Sequence, residues 1–120
     1  MESLADLSAV ELLAGYRART ISPVEVMRDV QHRISEREPV VKALWAADSD
    51  GATNQAVESE RRWAAGSPVG VLDGIPITLK ENIATAGIAI PLGTAATELV
   101  PAVADAPPAA RVREAGAILL

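Results

Sequence analysis

One lysine stands at the end of a short apolar run in Leu72-Asp73-Gly74-Ile75-Pro76-Ile77-Thr78-Leu79-Lys80-Glu81-Asn82. A lysine carried on a buried strand is a candidate base, because desolvation penalises the ammonium and favours a neutral amine near neutral pH. Gly74 and Pro76 mark the entry to that strand, and Glu81-Asn82 add polar groups just beyond the lysine. The spacing leaves two other readings open. One is a lysine with its ammonium simply in water. The other is a phosphate-binding lysine, which is weakened because no Gly-x-x-x-x-Gly-Lys-Ser/Thr arrangement surrounds Lys80.

Other residues make smaller claims. His32, the single histidine, lies between Gln31 and Arg33 and reads as a surface residue rather than a ligand. Asp48 and Asp50 read as a turn rather than a cation loop, since no further acidic ligands follow at the right spacing. Trp63 falls on a stripe of small residues and reads as packing. Residues 85–101 form either a cleft wall or an ordered connector. With no cysteine, disulfides and thiolate metal sites are excluded, and neither a metal nor a cofactor is expected. The net charge of −5 comes without any basic cluster, which argues against nucleic acid as a partner. No apolar run approaches the length of a membrane span, and the N-terminus has no basic-then-apolar leader pattern. A cytoplasmic location is therefore the expectation.

The elements that must position Lys80 follow from caps and periodicity. Ser8-Ala9-Val10-Glu11 fits a capping box opening a helix over about residues 8–18. Ser22-Pro23-Val24-Glu25 repeats it with proline in the first helical position, and Val24, Met27, Val30 and Ile34 continue at helical spacing. Pro39 is expected to close this second helix, and residues 40–47 to form a strand. A third helix is expected over about residues 52–65, with Ala52, Ala56, Ser59 and Trp63 on one face. Residues 75–80 read as a strand, and residues 83–104 as a long loop with a short strand at 88–90. Asp105 is expected to cap a fourth helix begun by Pro107-Pro108, with Gly116 ending it and residues 117–120 starting another strand. Helices alternating with strands predict an α/β fold with a largely parallel or mixed sheet. The core is alanine-rich and lacks phenylalanine, so residues 1–120 read as part of one larger domain.

Residues 70–82 resemble the lysine segment of the amidase signature family. The resemblance extends upstream to Leu7-Ser8-Ala9-Val10-Glu11-Leu12-Leu13 and Ile21-Ser22-Pro23-Val24-Glu25-Val26, similar to that family's two N-terminal helices. Downstream, Gly87, Gly93-Thr94 and the stretch from Asp105 to Ala117 resemble the approach to its serine-bearing core. What the resemblance implies is N-terminal helices followed by the start of a mixed α/β amidase core, incomplete at the C-terminus. It also implies hydrolysis of carbon–nitrogen amide bonds by a Ser–cis-Ser–Lys triad, with Lys80 as the terminal base.

In that layout both catalytic serines lie beyond Leu120. Ser3, Ser8, Ser22, Ser35, Ser49, Ser59 and Ser67 all precede the lysine, and none fits the nucleophile's place. The chain alone is accordingly expected to be inactive. Glu81 stands where the family commonly has Asp, and Thr94 where it commonly has Ser. The implied partner is a small-molecule amide substrate, and a homodimer of the full-length protein is compatible with the family. Two rival readings remain: a glutamine-hydrolysing amidotransferase component that needs partner subunits, and a non-catalytic remnant acting as an interaction module.

Overall fold

Two serines start the N-terminal helices. Ser8 Oγ accepts from the Glu11 N–H while the Glu11 carboxylate accepts from the Ser8 N–H, opening α1 (Ala9–Ala18). Ser22 and Glu25 repeat the exchange at 3.2 and 2.8 Å and open α2 (Pro23–Val41), with Pro23 at its first position. Each exchange satisfies amide donors that a helix start leaves without intrahelical partners. In this computed structural model, which describes residues 2–120, a single 3-10 turn at Leu4–Asp6 precedes α1. Asp29 of α2 holds it, accepting from Ser3 Oγ and the Ala5 N–H, and Arg33 pairs with Asp6.

Asp48 caps α3 (Ser49–Ala64) by accepting from the Gly51 N–H at 2.9 Å. Ala52, Ala56 and Ser59 are fully buried on one face, and such small side chains let α2 approach closely. Strand β1 (Pro76–Ile77) lies parallel to β2 (Ile118–Leu119), with Pro76 opposite Ile118. Between them runs α4 (Pro107–Glu114), the kind of crossover a parallel pair requires. The fold is α/β. Its core has two clusters. Leu12 and Tyr16 of α1 meet Val26 of α2 and Ile75, while Met27 of α2 meets Ala52, Ala56 and Ile118.

Several expectations are corrected. Pro39 does not end α2, which continues to Val41 and stops at Lys42 in a left-handed conformation (φ +46°). Pro39 lies in the exposed last turn, where one missing donor is easily tolerated. Residues 42–47 form no strand, because no ladder partner reaches them; the Leu44 N–H is satisfied by the Glu38 carboxylate instead. The strand expected over residues 75–80 is limited to Pro76–Ile77, the length that β2 pairs. Residues 88–90 contribute only an isolated bridge, Ala89 with Pro101.

Asp105 does not cap α4. The cap residue is Ala106, without a side-chain bond. Pro107 and Pro108 carry no N–H, so little remains for a carboxylate to satisfy. Asp105 instead accepts from the Ala86 N–H (2.7 Å) and Arg113 Nε (2.8 Å), tying the base of the long loop.

Candidate functional site

The motif around Lys80 begins in the core. Asp73 is fully buried, and its carboxylate accepts from Ser59 Oγ (2.7 Å), Arg62 Nε (2.8 Å) and Nη2 (2.7 Å), and the Val69 N–H (2.8 Å). Burial pushes this carboxyl up, but the hydrogen bonds from Arg62, Ser59 and Val69 outweigh it and hold it below its ordinary range. The Asp73 carbonyl accepts from Trp63 Nε1 at 3.1 Å, and the Gly74 carbonyl accepts from the Tyr16 hydroxyl at 3.0 Å. Burial pushes the Tyr16 phenol up, and the Asp73 charge adds to it, so this hydroxyl remains a donor.

Gly74 must be glycine on two counts. Its φ is +85°, and a Cβ there would lie 2.7 Å from Ser59 Oγ. Gly116 is constrained likewise, at φ +92° with a Cβ position 2.7 Å from Asp73 Cα. Through it the Asp73–Gly74 turn packs against the end of α4, where Gly74 N–H donates to the Gly116 carbonyl.

Beyond β1 the character changes. Thr78 and Lys80 are exposed, and a turn closes where the Ile83 N–H donates to the Lys80 carbonyl at 2.9 Å. Lys80 sits on a cavity of about 490 Å³ past the carboxyl ends of β1 and β2. Its other walls include Leu44 and Trp45 before α3, Ile88 and Ile90 from the loop, and Leu120 after β2. Trp45 Nε1 donates to the Ala89 carbonyl at 3.3 Å and so ties two of these walls together. Glu81 also lines the cavity, and its Oε2 is buried with no hydrogen-bond partner among the described residues. The carboxyl ends of parallel strands are where α/β folds place their ligands.

The family follows from more than this motif: a model described as Amidase matches residues 25–120. The chain belongs to the amidase family. Over its full length it is 36% identical to a glutamyl-tRNA(Gln) amidotransferase subunit from Acidothermus cellulolyticus, covering 24% of that protein. The native peptide amidase of Stenotrophomonas maltophilia superposes with a TM-score of 0.85 at 28% identity, over 97% of this chain and 24% of that one. A bacterial aryl acylamidase of the amidase signature family gives 0.83 at 28% identity, over 95% of this chain and 24% of that one. The chain thus spans about a quarter of the length of the proteins it matches.

Within this amidase-family chain, Lys80 lies three residues past the end of β1 rather than on the strand, and it is exposed rather than enclosed. Among the described residues no carboxylate pairs with it within 4.0 Å. His32 is on the surface, 3.6 Å from Glu36, and Asp48 serves as a helix cap. Part of the 85–101 stretch does wall the cavity, through Thr85, Ile88, Ala89 and Ile90. Sequence reasoning missed Asp73, Arg62 and Trp45. An Asp-Gly pair signals a turn, but no local pattern pairs Asp73 with an arginine on the preceding helix or Trp45 with a distant carbonyl.

Proposed function

We propose that in its complete gene product this chain supplies the lysine base of an amidase that hydrolyses carbon–nitrogen amide bonds of a small-molecule substrate. The observation that carries the reading is the position of Lys80. It stands just past an anchored strand, on a cavity at the carboxyl ends of the parallel pair, in a chain of the amidase family. As a neutral amine, Lys80 would take the proton of a bridging serine, which in turn activates a nucleophilic serine. An acyl-enzyme forms as ammonia or an amine leaves, and water releases the acid. Both serines would come from outside residues 2–120, and their enclosure of Lys80 would provide the desolvation that a lysine base requires.

The test is Lys80→Ala in the complete gene product, assayed on simple aliphatic and aryl amides. We expect kcat to fall by about 10³-fold or more, with thermal stability retained. Turnover near the parent level would remove Lys80 from the mechanism.

A second reading has its own support, since the relative from Acidothermus cellulolyticus is a glutamyl-tRNA(Gln) amidotransferase component. On that reading glutamine is the amide and partner subunits are required. Glutamine hydrolysis that appears only with co-purifying subunits would favour it, and hydrolysis of unrelated amides by the isolated protein would favour the first.

A further inference from the structure

Among the described residues the charged group buried deepest is not the lysine but the carboxylate that precedes it in the same motif. Asp73 is fully shielded, and it receives a two-pronged contact from Arg62, whose own side chain is 30% exposed. A buried ion pair is seldom worth more than well-packed apolar residues of the same volume, so stability gives a weak reason for one here. What such a pair does supply is direction, because the planar guanidinium fork meets a carboxylate in one geometry.

That direction is passed along the backbone toward Lys80. Trp63 holds the Asp73 carbonyl, Tyr16 holds the Gly74 carbonyl, and Gly116 accepts from the Gly74 N–H. Ile118 and Leu120 then donate to the carbonyls of Ile75 and Ile77. Every residue from Asp73 to Ile77 except Pro76 is thus bonded to α1, α3 or the β2 segment. Only Thr78 and Leu79 separate this fixed backbone from Lys80.

We propose that Asp73 and Arg62 are positioning residues for Lys80: their ion pair sets the entry of β1, and β1 sets where the lysine amine stands over the cavity. This rests on the reading of Lys80 as the base. A displacement of about 1 Å at a reacting group can cost about 10²-fold in rate, so loosening the pair should appear in turnover rather than in substrate binding.

The experiment compares Asp73→Asn, Arg62→Lys and the double variant Arg62→Met/Asp73→Asn in the complete gene product. Each is assayed at a temperature where circular dichroism shows it folded. For Asp73→Asn we expect kcat to drop by about 10- to 100-fold with KM within about twofold of the parent. The double variant leaves no charge unpaired, so its Tm should return toward the parent while kcat stays low. If kcat returns together with Tm, the pair only stabilises and the proposal is overturned. Should Asp73→Asn fail to fold, Arg62→Lys decides alone, because it keeps the charge but loses the fork. A roughly tenfold lower kcat at unchanged KM supports positioning, and an unchanged kcat overturns it. Lys80→Ala is measured beside them. Its retained activity would overturn the base assignment, whereas a low kcat there with parent-like kcat in the Asp73 and Arg62 variants would overturn the positioning role alone.

Discussion

The first half of the lysine motif and its second half are built on opposite principles. From Asp73 to Ile75 the chain is buried, and side chains from α1 and α3 hold its polar groups. From Thr78 to Asn82 it is largely open, and among the described residues a single turn bond restrains Lys80. The adjoining loop carries the same openness further, with Leu92, Leu99, Val100 and Val103 all exposed. A segment with few buried contacts opens at low cost, and reacting groups are commonly carried on such segments over a rigid base. One short motif therefore divides its labour: Asp73-Gly74 builds the core, and Lys80 is presented by it.

Substitutions in the two halves should separate activity from stability. Lys80→Ala is expected to remove about 10³- to 10⁴-fold of activity while shifting unfolding free energy by no more than about 0.5 kcal/mol. Gly74→Ala should do the reverse. It forces an L-residue to φ +85° and a Cβ into contact with Ser59, which costs about 3 kcal/mol of stability, read by chemical denaturation. If Gly74→Ala were as stable as the parent, or Lys80→Ala failed to fold, the division between the halves would be gone.

Acid sharpens the same contrast. Asp73 is held below its ordinary 3.8, so the unfolded chain binds its proton more readily than the folded one. Its stabilisation is fully present above that value and is lost as pH falls through the lower folded value. As pH falls below about 4 the parent should lose stability more steeply than Asp73→Asn, as read by denaturant midpoints. Equal slopes would mean that the carboxylate is not the group titrating.

Smaller effects locate the boundaries of the rigid half. Ser22→Ala breaks the capping box of α2 and should cost about 1 kcal/mol in thermal or chemical unfolding. Trp45→Phe keeps an aromatic side chain but removes the bond to the Ala89 carbonyl, at a cost of about 1 kcal/mol. Its effect should appear as faster amide exchange confined to residues 84–106. Faster exchange spread through α1 to α3 would show that the loop is part of the core after all.

Much of this architecture was readable from local chemistry. The boxes at Ser8 and Ser22 each complete themselves within four neighbouring residues, so the pattern alone indicated where α1 and α2 begin. Gly116 was likewise readable as a helix stop. Two of the failed readings turned on partners that lie far along the chain. The strand read over residues 40–47 has its two valines in α2 and no strand beside the rest, and Asp105 found an amide across the loop instead of one in its own helix.

The candidate site shows the same split. The lysine and the turn before it are contained in residues 70–82, and the amidase resemblance runs from Leu7 to Ala117, because motif and spacing are properties of the chain itself. That Asp73 would meet Arg62, that Trp45 would bridge to Ala89, and that Lys80 would stand exposed over a cavity depended on how α3, β1 and the loop pack. Such contacts join residues well separated along the chain, and burial and ion pairing are set by what surrounds a group in space rather than by its neighbours in sequence.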